Sequence, residues 1–391
     1  MKTWKLYSAI LLAALAPAAL AQHLVLKNPL PVARPQEVVE VPLAQVLGRL
    51  HLSPEQAPAL VAEDAATGQS IPMQLSLHRP DAAPDLLLLL VQLPPHGAER
   101  IAFKIDANAP RVSPLVFGRE APERKDDFAW ENELVTYRVY GPALQATGEI
   151  TSGIDVWSKR VPNFVIDSFY QRDLEGIHTH NPALSYHKDN GQGLDSYFVG
   201  PTRGCGGTAV FADGKLIVSK NYTRMRILDN GPIRFSFEVT YAPWDAKGAS
   251  VWETKKITLD AGTHLNKIES TYTFDGSGTL DLAAGIAVHQ GAHAEFPVEG
   301  SVAAVWDTPQ DPTAGRIATG LVAESGQHAR TLDAAGHALL LFTRHSREPF
   351  TYYAGSGWSK ADMPTAADWN AYLKQELNLL EHPITIHWAS K

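Results

Sequence analysis

The chain has 391 residues and carries 34 Lys and Arg against 42 Asp and Glu, a formal charge of -8, which excludes a nucleic-acid-binding surface spread over the whole protein. With 45% hydrophobic and 19% charged residues, the composition is that of a folded protein with a large core rather than a disordered one. A single cysteine, Cys205, excludes an intrachain disulfide and the zinc sites that need several thiolates.

Residues 1–21 read as an export signal. Lys2 and Lys5 precede an apolar run from Leu6 to Leu20, and Ala19-Leu20-Ala21 offers a small-x-small cleavage site before Gln22. A membrane anchor is the alternative, but the run contains Pro17 and is shorter than the roughly 20 residues a spanning helix needs. Cleavage removes two lysines and leaves a more acidic chain with no membrane span. A disulfide-free exported protein is expected to be periplasmic or secreted from a bacterium.

From residue 22 to residue 115 the pattern is that of a small N-terminal β-sandwich. Val38-Val39-Glu40-Val41 and the continuous apolar run Leu86 to Leu93 read as strands, the second buried on both faces. Asp64 to Gly68 and Arg79-Pro80-Asp81 are turn punctuation. The boundary is expected between Asn108 and Lys125, where Pro and charge accumulate and periodicity stops.

Residues 116–391 form the second, larger body, and the chain as a whole is predicted to be all-β. In Arg234 to Tyr241, Phe235, Phe237, Val239 and Tyr241 alternate with polar residues and share one face. Asp213-Gly214 and Asn230-Gly231 are hairpin signals, because two-residue turns need positive φ and these pairs accept it cheaply. One short C-terminal helix is predicted. Thr365 and Asp368 have capping-box spacing, Trp369, Leu373, Leu377 and Leu380 share a helical face, and Pro383 ends it. The absence of strand-helix alternation argues against a doubly wound nucleotide-binding fold.

The stretch from His178 to Gly207 is loop-like and rich in chemistry. On a strand, His178 and His180 would point to one side and, with His187, offer three imidazoles to a divalent metal. The glycines from Gly200 to Gly207 lack a phosphate-loop ending and read as tight turns with close backbone approach. As acid-base machinery, His187 and Tyr197 are the best pair. Arg203, Arg226, Arg234 and Lys159 can supply cations that lower a Tyr pKa and bind a carboxylate. Upstream, Trp130 and Trp157 suit stacking on sugar rings, with Glu131, Asn132, Asp189 and Asp195 available to sugar hydroxyls. Glu131, Asp155, Asp189 and Asp195 also keep glycoside hydrolysis in view. No serine-hydrolase elbow is present, and Cys205 in its glycine-rich setting reads as a space filler.

These residues resemble a known family, the bacterial proteins of domain of unknown function 4861, grouped with galactose-mutarotase-like carbohydrate-active proteins. The matching text is Trp130-Glu131-Asn132, Tyr137 to Pro142, Gly153 to Lys159, Tyr186-His187, Gly191 to Tyr197, Arg203 to Gly207, and Gly231 to Arg234 with Tyr241. The resemblance runs from about residue 23 to 390. It implies a large antiparallel β-supersandwich after the small sandwich, with a sugar held on one sheet. It also implies work on uronate-containing oligosaccharides from polysaccharide breakdown, as a dehydratase or lyase that performs β-elimination. Such chemistry needs a base, an acid and a cation; His187, Tyr197 and Arg203 are assigned as that catalytic set, with Arg226 or Lys159 as a further cation. No cofactor is required, and a divalent metal remains an open option. A glycoside hydrolase or epimerase of the same fold, and a noncatalytic sugar-binding protein, are the alternatives.

Overall fold

The computed structural model describes residues 22–77 and 82–389; the predicted signal segment and the Arg79-Pro80-Asp81 turn lie outside them. The described residues are 48% strand and 17% helix, and the fold is all-β, as the alternating patterns require. Among the described residues no helix is long and apolar enough to cross a membrane.

The N-terminal sandwich pairs a three-stranded sheet with a five-stranded one. Its core is built from Leu24, Leu26, Val39, Val41, Leu87, Leu89 and Ile101. The strand Leu86–Leu93 explains its own unbroken apolar run: Leu87, Leu89 and Val91 face the sandwich core, while Leu88 and Leu90 face the core of the larger body. Both faces are buried because the strand lies between two cores. The five-stranded sheet is completed from the other end of the chain, where Thr385–Ala389 pairs antiparallel with His23–Lys27 and Trp388 packs on Phe103. The small sandwich therefore includes a strand that sequence position alone assigns to the second body.

The larger body is a supersandwich in which one nine-stranded antiparallel sheet and two five-stranded sheets share a single core. Phe235, Phe237, Val239 and Tyr241 all enter that core, as their alternation demands. Asp213-Gly214 makes the expected tight hairpin with both residues at positive φ. The Asn230-Gly231 hairpin is longer than a two-residue turn, because Pro232 and Ile233 extend the loop before Arg234 pairs onward. The helix Ala366–Glu381 begins with the predicted capping box and buries Trp369, Leu373 and Leu377. Among the described residues three further α-helices have no counterpart in the sequence reading, Leu43–Leu50, Pro142–Ala146 and Ile166–Thr179.

The glycines after Gly200 do the backbone work expected of them. At Gly204, with φ +57°, a Cβ would lie 2.1 Å from the Ile154 carbonyl oxygen. Only glycine allows that approach, and it joins the site-bearing sheet to the strand Cys205–Ala212. Cys205 is buried, its thiol pushed up by burial, so it is a space filler and not a nucleophile.

Candidate functional site

Three neighbouring antiparallel strands, Asp127–Asn132, Thr136–Val139 and Asp155–Lys159, build the site by simple alternation. Phe128, Trp130, Tyr137, Val139 and Val156 point into the large core. Their neighbours Asp127, Glu131, Arg138, Asp155, Trp157 and Lys159 therefore point to the opposite face. That face is covered by Ile166–Thr179, whose Phe169 and Tyr170 pack on Trp157.

At one end of the face, Glu131 holds the helix. Its carboxylate accepts the main-chain N–H groups of Val165 and Ile166 at 2.8–2.9 Å and pairs with Lys159 Nζ at 2.8 Å, with both side chains sealed from solvent. A carboxylate satisfies the free N–H groups of a helix start and the positive end of its dipole together.

At the other end, Arg138 organises a buried charge cluster. In register opposite Asp155, it donates from Nε to Asp155 Oδ2 at 2.9 Å and from one Nη2 to Asp155 Oδ2 at 2.5 Å and Asp195 Oδ2 at 2.9 Å. Nη1 donates to the Tyr186 hydroxyl at 3.2 Å and lies 3.6 Å from Asp127. Tyr140 donates its hydroxyl proton to Asp155 at 2.8 Å. Beneath the cluster, the ring of Trp157 stacks on Tyr186 and carries Arg138 above it. Three carboxylates around one guanidinium leave excess negative charge in a low-dielectric place. Burial, and then repulsion from Asp155, holds the Asp195 carboxyl well above the usual range. Burial likewise pushes Asp127 up to about 6 against the pull of Arg138 and Arg124. The site thus stores protons near neutral pH.

This cluster is the floor of an open pocket of about 520 Å³ lined by Arg124, Lys125, Asp127, Tyr140, Tyr186 and His187. Arg124 reaches in from the segment before the first strand, donating to the Tyr186 hydroxyl at 2.6 Å and pairing with Asp173 at 2.8 Å. The His187 side chain is 60% exposed, its ring edge-on to Tyr186 with centroids 4.6 Å apart. His187 Nδ1 lies 2.9 Å from the Asp195 main-chain oxygen. A carbonyl only accepts, so Nδ1 carries a proton and Nε2 is the nitrogen turned away from the main chain. Tyr186 stays protonated because burial raises its pKa more than Arg138 lowers it.

His187, Asp155 and Asp195 thus stand together at this pocket, with Trp157 packed beneath them, and the other residues singled out from sequence stand elsewhere. Tyr197 is buried against His289 on the far side of the same segment. Arg203 is sealed, donating to the carbonyl oxygens of Ser152 and Thr208, and does not meet His187; the catalytic trio is not assembled. Nor are the four cations gathered in one groove. Lys159 pairs with Glu131, Arg226 lies opposite Glu238 on a strand, and Arg234 ties Asp260 to Glu40 of the small sandwich. Trp130 and Trp157 are fully buried and present no face to a sugar. Asn132 fastens a turn through Asp260 and Thr263, and Asp189 pairs with Arg160 at the surface. His178 lies in the last helical turn and His180 caps it, not on a strand; among the described residues no group of three ligands is positioned for a metal. Sequence reasoning missed Arg124, Asp127, Arg138, Tyr140 and Tyr186 as a unit. An Arg at the centre of an otherwise apolar, alternating strand was the available signal.

A small β-sandwich joined to a large antiparallel supersandwich, with a charged pocket on an outer sheet face, defines an all-β sandwich protein. The family model described as Domain of unknown function (DUF4861) matches residues 26–386, and the chain belongs to that family. It is 30% identical over 377 residues to "Uncharacterized protein P7" of Formosa agariphila, covering 92% of this chain and 91% of that protein. Among solved structures it is similar to an alpha-mannosidase from Enterococcus faecalis V583, with a TM-score of 0.50 and 11% identity over 95% of this chain. A second similar structure is a glycosyl hydrolase family 38 protein from Enterococcus faecalis, with a TM-score of 0.48, 11% identity and 95% of this chain covered. The chain spans 46% and 48% of those two chains. The first likeness concerns the fold.

Proposed function

We propose that the protein is a carbohydrate-active enzyme that performs β-elimination on uronate-containing oligosaccharides, as a dehydratase or lyase, with its site at the His187 pocket. One observation carries this reading: a solvent-facing imidazole with its Nδ1 fixed on the Asp195 carbonyl stands against a protonated Tyr186 whose hydroxyl receives Arg124. The mannosidase-like fold and the family membership support a sugar substrate.

In the proposed reaction His187 Nε2 removes the proton at C5 of the uronate. The electron pair forms the C4–C5 double bond as the C4–O bond breaks, and Tyr186 gives its proton to the departing oxygen. Arg124, aided by Lys125 at the rim, holds the carboxylate and the charge that spreads onto it. Return of the proton from imidazolium to tyrosinate through solvent restores the enzyme. A two-carboxylate hydrolase is less well served. Asp155 and Asp195 are sealed and share one guanidinium nitrogen, so they are placed to position neighbours and not to flank a glycosidic bond.

Incubation with glucuronate- and galacturonate-containing oligosaccharides tests this. New ultraviolet absorbance from the double bond conjugated to the carboxylate is the expected result. Release of reducing ends without that absorbance would sink the proposal in favour of hydrolysis.

A further inference from the structure

The segment that positions His187 continues into a second pocket. Asp195 belongs to the Arg138 cluster, whereas Ser196 and Phe198 line a separate hollow of about 350 Å³ with His289, Gln290, Asp307 and Gln310. Phe198 is 55% exposed, the aromatic member among the large exposed apolar side chains of the described residues. Its ring stands 6.3 Å from that of His289 and offers an apolar face to a guest.

The walls are built and not merely solvated. His289 is clamped through both ring nitrogens, Nδ1 by Asp307 and Nε2 by the Phe198 carbonyl oxygen at 2.7 Å. Asp307 also accepts the Thr308 N–H at 2.7 Å. Both ring nitrogens face acceptors, so the ring is an imidazolium opposite a carboxylate and the pair is neutral. Burial lowers the His289 pKa, but the Asp307 contact more than offsets it. Among the described residues no other ionisable group lines this hollow. The Ser196 hydroxyl is buried at its edge without a hydrogen-bond partner. Unpaired buried hydroxyls are costly and call for a polar guest.

We propose that this hollow is a subsite for an uncharged pyranose, whose apolar C–H face lies on Phe198 and whose hydroxyls meet Ser196, Gln290 and Gln310. The contrast with the His187 pocket, where Arg124 and Lys125 wait, specifies the substrate class. It is an oligosaccharide in which a uronate is linked to a neutral sugar. This inference rests on the uronate reading above and extends it. Asp195 and Phe198 are three residues apart, a span of at most about 11 Å along the chain.

The test is titration calorimetry of wild type, Phe198→Ala, Phe198→Tyr and Arg124→Ala with methyl glucuronide and with glucuronosyl-xylose. Wild type is expected to bind the disaccharide about fivefold more tightly than the glucuronide. Phe198→Ala loses that gain while its affinity for the glucuronide is unaltered, and Phe198→Tyr restores it. A wild type with no preference for the disaccharide, or a preference that survives Phe198→Ala, overturns the subsite while leaving the uronate reading intact. Failure of wild type to bind the glucuronide, with Arg124→Ala indistinguishable from it for both sugars, overturns both.

Discussion

The imidazole of His187 is aimed by Asp195 through its main chain, while the Asp195 carboxylate is held by Arg138. One residue thus connects the exposed base to the buried charge cluster, and the two halves of the site can be separated by mutation.

His187→Ala should lower kcat by about 10²- to 10⁴-fold, the usual contribution of a positioned base. The side chain is 60% exposed, so stability should change by no more than about 0.5 kcal/mol. Steady-state rates alongside urea unfolding check both halves; unchanged turnover would remove His187 from the mechanism.

Arg138→Met should destabilise by about 3–5 kcal/mol, because Asp155 is left buried without its countercharge and Asp195 without its donor. Arg138→Lys should recover only part of this, since an ammonium cannot meet Asp155, Asp195 and Tyr186 with a fixed fork. Denaturant midpoints at constant pH give the comparison, and full recovery by Lys would refute the geometric argument.

Asp127 introduces a pH dependence of known sign. Its carboxyl titrates at about 6 in the folded protein against an ordinary 3.8, chiefly through burial. The folded state holds this proton more tightly than the unfolded one, so the group stabilises fully below 3.8 and that stabilisation is lost as pH rises to about 6. Asp127→Asn should remove roughly 2–3 kcal/mol of this slope, seen as a flatter plot of unfolding free energy against pH.

His289 introduces a pH dependence of the same sign. Its raised pKa, won from Asp307 and the Phe198 carbonyl against the effect of burial, contributes stability below 6.5 that is lost as pH passes the folded value. In Asp307→Asn the imidazole proton should be released at lower pH, and an NMR titration of the ring protons would show it. An unmoved titration would mean that Asp307 does not hold the charge.

Local patterns declared much of the fold. Thr365 and Asp368 announced the last helix, and the unbroken run Leu86–Leu93 announced a strand with two buried faces. The helix Ile166–Thr179 was silent because its start is capped from afar: Val165 and Ile166 donate to Glu131, 34 and 35 residues upstream, where local capping residues are the readable signal. The site was half legible for a related reason. His187 and Asp195 sit close in sequence, but Arg138 meets Asp155 and Asp195 at separations of 17 and 57 residues. Arg203 looked catalytic by type, yet burial among carbonyl oxygens decides its role.

The pairing of His23–Lys27 with Thr385–Ala389 also sets an order of events during synthesis. The first sheet leaves the ribosome with one edge open and acquires its closing strand only after the whole supersandwich has been made. Until then the strand His23–Lys27 displays unpaired main-chain groups that can recruit strands from neighbouring chains. Truncation at about residue 383 should therefore yield a protein prone to self-association even with its His187 pocket complete.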